Sequence, residues 1–347
     1  MQKTDVAWRP LGAQRELRSV TRDDLPIVHV WQRCHGCGAA PIVGHRYDCQ
    51  TCPAGPDNHL CESCYAAFRR GTLSHPAADS YAGRRDVTGD AVHEFHEGRG
   101  MCRATVESWL EVPDSTGVAP PVADRLLLRP EFCTKQGSFL AGYAFGLAPG
   151  GRMPPLVVTG LHVMVEVIKA AQIDCGPGNA AYTGRELPAV VERVHLYDLL
   201  AENWMRAAIG DALPMVVLPE ARVGDEEPYS QRDIAAFVAT SSLSFAPASL
   251  ATSLPEVGEP IWLAVRLAGA GSRRAVAATV VERTTETFIF RYAEEPPWAA
   301  SGAPILNSRG EVVAINLGGG ALDSRLYGHA NHADSIRRHL AAAPAIL

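Results

Sequence analysis

Six of the nine cysteines lie between Cys34 and Cys64 as three C-x2-C pairs: Cys34 with Cys37, Cys49 with Cys52, and Cys61 with Cys64. A C-x2-C turn puts two thiolates on one zinc ion and leaves half of its tetrahedron open, so every pair needs a second pair. Two complete sites need two ligands more than three pairs supply. The H-x2-H of HEFHEG, His93 and His96, offers them, with His75 as a rival. Reduced cysteines packed in a core would not repeat one spacing three times within about thirty residues. The block is therefore expected to hold two structural Zn2+ ions. Such pairing suits a metal better than a disulfide framework and argues an intracellular, cytoplasmic setting.

A second chemistry is spread more widely. Ser301, in WAASGAPILN, needs an imidazole to take its proton and a carboxylate to fix the imidazole tautomer if it is to act as a nucleophile. PLVVTGLHV sets His162 directly after an apolar strand, and QRDIAAFVA sets Asp233 at the mouth of another. Taken singly, a histidine after a strand, an aspartate opening one and an S-G turn are ordinary structural residues. Their order along a β-rich chain fits a two-barrel domain whose cleft gathers one residue from each region.

The elements that must position these residues fall into zones. A chain of 347 residues with 47% apolar content can build one large domain or two unequal ones. The Cys/His block lacks the aliphatic runs for a core of its own. EVPDSTGVAPPVADRLLLRP clusters Pro, Gly and Ser and reads as a linker, although RLLL has the composition to pack onto the β-rich domain after it. From about residue 131, short apolar or alternating runs recur between turn signals: SFLAGYAFGL, PLVVTGLHV, AVVERVHLYDLL, PMVVLP, DIAAFVA, PIWLAVRLA, AVAATVVERT, ETFIFRYA, APILN and EVVAINL. That spacing predicts an all-β sandwich or barrel, with hairpins at TTE and NSRG and a helix only at HADSIRRHLAAA. The expected domains are an N-terminal segment (1–30), the zinc block (31–97), a linker (98–130) and a β domain (131–347). A net charge of −6 argues against a nucleic-acid partner, and no apolar run reaches the length of a membrane span.

CHGC, PIVGHRYDC, QTC and HLCESCY resemble the ZZ-type zinc finger in motif, order and spacing. The resemblance implies interleaved ligation, with one ion on Cys34, Cys37, Cys61 and Cys64 and another on Cys49, Cys52 and two histidines. It departs from the family in the long insertion between Cys64 and the histidine pair. Many ZZ fingers capture a peptide's N-terminal amine with aspartates before the third pair. Here Asp57 is kept, His59 stands where a second acid is common, and Asp48 is a further candidate. A peptide or protein ligand for this finger is expected on that basis.

VVTGLH, DIA and AASGAP resemble the motifs of the chymotrypsin-like (trypsin fold) serine proteases, including the HtrA-like branch, over about residues 131–345. This implies a double six-stranded β-barrel, with His162 as general base, Asp233 as its orienter and Ser301 as nucleophile. Asp198 and Asp225 are rival acids but neither opens a D-I-A strand. The backbone N–H groups of Ser301 and Ala299 would form the oxyanion hole. VVAINLGGG resembles the strand that pairs with substrate backbone, and YGHANHADSIRRHL the closing helix. Ala299 replaces the usual glycine, and Ala300 removes the aspartate on which zymogen activation depends. Glu295, six residues before Ser301, stands where trypsin keeps the acid that reads Arg or Lys. The expected function is a serine endopeptidase acting on protein or peptide substrates and regulated by a partner or ligand. The alternative is a catalytically silent adaptor on the same fold.

Overall fold

The computed structural model describes residues 27–29, 32–49, 59–73, 95–98, 101–150, 153–171, 173, 182–202, 205, 208–223, 232–240, 243–267, 274–297, 300–322 and 325–343. In chain order the zinc block contains β1 (Ile27–His29), β2 (Ile42–Val43), β3 (Arg46–Cys49), β4 (His59–Cys61), α1 (Glu62–Arg69), β5 (Phe95–Gly98) and β6 (Met101–Cys102). Two small antiparallel sheets result, ordered β2-β1-β6 and β4-β3-β5. α1 begins directly after Cys61, so one turn of helix presents Cys64 beside it. Cys34, Ile42 and Leu60 form this block's small buried cluster, too few side chains to hold it together without a further link.

α2 (Arg103–Glu111) comes next, and then the strands of the first barrel. They are β7 (Leu127–Thr134), β8 (Gly137–Leu140), β9 (Ala144–Ala148) and β10 (Leu156–Thr159). After α3 (Val165–Ala170) come β11 (Tyr182–Thr183), β12 (Arg193–Asp198), β13 (Ala208–Val216), β14 (Arg222–Val223), β15 (Ala235–Ala239) and β16 (Ala248–Ser249). The order β9-β10-β15-β13-β12-β7 closes through pairing of β7 with β9, which makes a six-stranded barrel. β17 (Pro260–Ala264), β18 (Ala275–Arg283), β19 (Thr287–Tyr292), β20 (Pro304–Leu306), β21 (Val312–Leu322) and β22 (Arg325–His332) close the second barrel in the order β17-β18-β19-β22-β21-β20. α4 (Ala333–Ala341) ends the described chain. Closure gives every barrel strand a partner on both sides, and one continuous apolar core runs through both barrels. The mainly β, double-barrel architecture expected from the sequence is the one observed, preceded by the small finger. Both hairpins form as expected, at β18–β19 and β20–β21.

Two segments differ from the sequence reading. The stretch expected as a linker is docked chain. Trp109 of α2 is fully buried against Tyr327, and its indole N–H donates to Glu282 Oε2 at 2.6 Å. Buried Arg291 needs acceptors and finds them here: the carbonyls of Trp109 (2.7 Å) and Val112 (2.6 Å), and Asp114 Oδ1 at 2.6 and 2.9 Å. Absence of apolar periodicity signals irregular backbone, but irregular backbone still carries carbonyls that a buried guanidinium can use. RLLL packs onto the barrel, as its composition allows: Leu126 is buried in the barrel core and β7 starts at Leu127. The second difference is β22: Tyr327–His332, which the resemblance sets with the closing helix, belongs to a strand that completes the barrel, and the helix read at HADSIRRHLAAA starts at Ala333, where His332 Nδ1 accepts the Ser335 N–H. Additional helices α1, α2 and α3 are short and depend on tertiary packing, which periodicity does not report.

Val28, Val106 and Trp109 share one buried cluster with Val281, Ile289, Leu322 and Tyr327 of the second barrel, so the finger side of the chain is anchored there. Trp109→Ala is expected to weaken that docking by about 3–5 kcal/mol, as for other buried tryptophans. Limited proteolysis checks this: cutting between residues 98 and 126 should rise while the barrels stay intact, and unchanged cutting would show that the contact does not hold the segment.

Candidate active site and zinc centre

β10 and β15 pair antiparallel with Thr159 opposite Ala235, so the end of one and the start of the other emerge at the same rim of the first barrel. The short helical turn Leu161–Met164 carries His162 there, and Asp233 lies two residues before β15. The two side chains meet. Asp233 Oδ2 accepts from His162 Nδ1 at 2.6 Å, and Oδ1 accepts the His162 backbone N–H at 2.9 Å. Gly160 makes room for this: a Cβ there would stand 2.9 Å from the imidazole Cε1 and Nδ1. Burial works against the imidazolium, but the charge and hydrogen bond of Asp233 outweigh it and lift the His162 pKa above the usual 6.5. Nε2 is buried and accepts from nothing among the described residues. Of the rival acids, Asp198 turns to its own loop, accepting from Leu200 N at 3.0 Å, and Asp225 lies outside the described residues.

Ser301 comes from the other barrel, in the turn before β20. Asn316 of β21 holds that turn with three bonds: its carbonyl accepts Gly302 N–H (2.7 Å), its N–H donates to Ala303 O (2.9 Å), and its amide donates to Ala300 O (2.9 Å). Gly302 has φ +83°, and a Cβ there would lie 2.1 Å from Tyr143 O, so no other residue fits without moving the chain. Across the cleft, Tyr143 N–H donates to Ser301 O at 2.7 Å, and Thr159 Oγ1 donates to Tyr143 O at 2.6 Å. Asn331 of β22 donates to Asp233 O at 3.1 Å. His162, Asp233 and Ser301 thus lie where the barrels abut.

The serine hydroxyl itself is turned to Leu317 O, to which it donates at 3.2 Å, and makes no hydrogen bond with His162. Ala299, expected as an oxyanion donor, lies outside the described residues, and Glu295 is exposed on the loop after β19. Sequence reasoning passed over Asn316, Asn331, Tyr143 and His329. A polar residue inside the apolar run VVAINL was the available signal for Asn316; the others depend on contacts across the cleft. His329 sits on the same face of β22 as Asn331, and burial together with His162 depresses its pKa to about 4, so its imidazole is neutral near pH 7.

In the finger, Cys34, Cys37, Cys61 and Cys64 bring their sulfurs within 4.8 Å of one another. Four thiolates at about 2.3 Å from one zinc ion stand about 3.8 Å apart, and Cys37 and Cys61 show a sulfur separation of 3.8 Å. The donor set fits zinc in number, chemistry and spacing. Of the second expected set, Cys49 is buried, and β3 pairs with β5 so that Cys49 faces Phe95 and Asp48 faces His96 along the backbone. Cys52, His93 and the rival His75 lie outside the described residues, as does Asp57. Asp48 is already engaged: Arg46 donates at 2.6 and 3.1 Å and His59 at 2.7 Å. Burial pushes its pKa up, but those bonds prevail and hold it below the ordinary value.

Among the described residues no helix is long and apolar enough to cross a membrane. A comparison with curated proteins found no match. Among solved structures, the chain is similar to the Rv3671c protease from M. tuberculosis in its active form, 18% identical with a TM-score of 0.39, covering 68% of this chain and 94% of that one. It is similar to the MamO protease domain from Magnetospirillum magneticum, 15% identical, TM-score 0.37, covering 62% and 96%. A thermostable serine protease, AL20, from an extremophilic microorganism is 14% identical, TM-score 0.39, covering 62% and 95%. The family model described as zinc finger, ZZ type, matches residues 29–73, which contain all six paired cysteines and end before the histidine pair. Residues 29–73 are a ZZ-type zinc finger, and they precede a double six-stranded barrel.

Proposed function

We propose that this chain is a serine endopeptidase whose zinc finger recruits a protein partner or substrate. One observation carries the reading: both oxygens of Asp233 clasp His162, through the ring at 2.6 Å and the backbone at 2.9 Å, and leave Nε2 as a desolvated acceptor in the cleft that holds Ser301. A buried acceptor without a partner is costly, and a proton-accepting role is a physical reason to keep it.

In this mechanism Ser301 releases Leu317 O, rotates about its Cα–Cβ bond and passes its proton to His162 Nε2 while attacking the scissile carbonyl. The Ser301 N–H, with the neighbouring N–H of Ala299, stabilises the oxyanion. The imidazolium returns the proton to the leaving amine, and water activated on the same ring releases the acyl group. Asp233 holds the tautomer throughout. The setting is intracellular in this reading. Interleaved ligation places one ion on Cys34, Cys37, Cys61 and Cys64 and a second on Cys49, Cys52, His93 and His96. Zinc supplies folding free energy to the block; chemistry at Ser301 does not involve it.

The second reading, a silent adaptor, draws on the Ser301 bond to Leu317 O, which leaves the nucleophile detached from its base. A fluorophosphonate probe separates the two. Labelling of the full chain that is lost in Ser301→Ala and falls about 10⁴-fold or more in His162→Ala supports the enzyme, and no labelling with any peptide or partner present supports the adaptor. Because the folded His162 pKa lies above 6.5, the base is protonated and inactive at low pH, so kcat/KM should rise through an apparent pKa above 6.5. Asp233→Asn should lower kcat by about 10³–10⁴-fold and remove that elevation; an unchanged profile would exclude the pair as the titrating unit. Metal analysis should return two zinc ions per chain, and Cys61→Ser should unfold the finger while the barrels, whose shared core holds no residue before Val122, keep their thermal transition.

A further inference from the structure

Arg291 of β19 is 2% exposed, and among the described residues its guanidinium bonds only to one short piece of chain that precedes the barrels. Nη1 donates to Trp109 O at 2.7 Å, Nη2 to Val112 O at 2.6 Å, and Nη2 and Nε to Asp114 Oδ1 at 2.6 and 2.9 Å. Directly across the β19–β22 ladder from Arg291 stands Tyr327, against which the Trp109 ring packs with centroids 5.6 Å apart. Residues 103–115 thus grip the two strands at one opposed pair. Ser115 adds a hold on β18, donating its N–H to Thr279 Oγ1 at 3.0 Å.

The same two strands lead to both halves of the Ser301 site. Alternation along β19 turns Arg291 to one face and Tyr292 to the other. There the Tyr292 hydroxyl donates to Asn316 Oδ1 at 3.4 Å, and the Asn316 amide donates to Ala300 O at 2.9 Å, next to the serine. On β22, Tyr327 and Asn331 share a face, and the Asn331 amide donates to Asp233 O at 3.1 Å. A buried guanidinium stripped of its acceptors carries a large desolvation cost, so release of residues 103–115 displaces Arg291 and the strand that carries it.

Toward the N-terminus this piece of chain is continuous with the finger. α2 begins at the residue after β6, and β6 pairs with β1, Cys102 opposite Ile27. Val28 of β1 is buried in the cluster that holds Trp109 and Val106. The next residue, His29, pairs with Ile42, which packs with Cys34 of the thiolate set. The fold of the finger therefore determines where α2 starts and how it reaches the barrel.

We propose that residues 103–115 are a strap by which the folded finger controls the reactivity of Ser301. Seated, the strap fixes β19 and β22, and through them the serine turn and Asp233; unseated, it lets both loosen. This rests on the peptidase reading above and names the regulation of that site. Trp109, Asp114 and Arg291 are positioning residues in this scheme, acting through Asn316 and Asn331.

The rate of fluorophosphonate labelling of the full chain, measured together with backbone hydrogen exchange in β19 and β22, tests the proposal. Trp109→Ala and Asp114→Ala should each slow labelling by at least about fivefold, the lower end of coupling between distinct sites. Both should speed exchange in the two strands while the thermal transition of the barrels persists. Asp114→Asn, which keeps an acceptor oxygen for Arg291, should restore most of the rate. Cys61→Ser, which takes a thiolate from the finger, should also slow labelling, and should add nothing once Trp109→Ala is present. Faster exchange with an unchanged labelling rate would overturn the control alone, as would additive effects of Cys61→Ser and Trp109→Ala. Absence of labelling in the unaltered chain would overturn the peptidase reading and this control with it. If Trp109→Ala does not fold, Asp114→Ala still decides, because that side chain is 67% exposed and leaves no buried cavity.

Discussion

A buried carboxylate has to find within the protein the hydrogen bonds that water would have supplied, and much of this site results from how Asp233 does so. Only 3% of the residue is exposed. Its two oxygens take both the ring and the backbone N–H of His162, so the imidazole is fixed in position and in tautomer at once. Its own carbonyl takes the Asn331 amide from the second barrel. Asp233 thus touches both halves of the fold, and displacing the second barrel would leave its buried main-chain carbonyl without the Asn331 amide.

Asn316 plays the matching part on the other side of the cleft. Backbone and side chain together hold the turn that carries Ser301, and the Gly302 backbone approaches Tyr143 more closely than any Cβ would allow. Ser301 O then receives the Tyr143 N–H, so the serine is located by both barrels although it belongs to one. Its hydroxyl donates to Leu317 O at 3.2 Å.

The finger depends on different physics. Its buried cluster is small, and a thiolate tetrahedron replaces the hydrophobic core that so short a segment cannot build. Yet its neighbour α2 is seated on the second barrel through Trp109, and Arg291 binds the carbonyls at the end of that helix and just beyond it. Metal, tryptophan and guanidinium therefore connect in series, from the cysteines to β19 and β22. β22 presents Tyr327 to α2 and Asn331 to Asp233 on one strand, which puts the finger's anchor and the acid's support four residues apart.

The features readable without coordinates were those that repeat or that carry their meaning locally. C-x2-C spacing is local because the turn itself sets two sulfurs on one ion, and alternating apolar runs are local because side chains of a strand point to opposite faces. The types and order of His162, Asp233 and Ser301, the β-rich character of the larger domain and the paired cysteines were legible for that reason, whereas the double barrel was implied only by the resemblance of VVTGLH, DIA and AASGAP to a known family. The docking of residues 103–115, the assignment of Arg325–His332 to a strand and the hold of Asn331 on Asp233 were not legible. Each depends on which distant surface a residue meets, and a run such as YGHANH has no period that distinguishes a barrel strand from the start of a helix. Local chemistry named the groups able to react; only closure of two barrels determined which of them touch, because contact across a cleft is a property of packing and leaves no pattern along the chain.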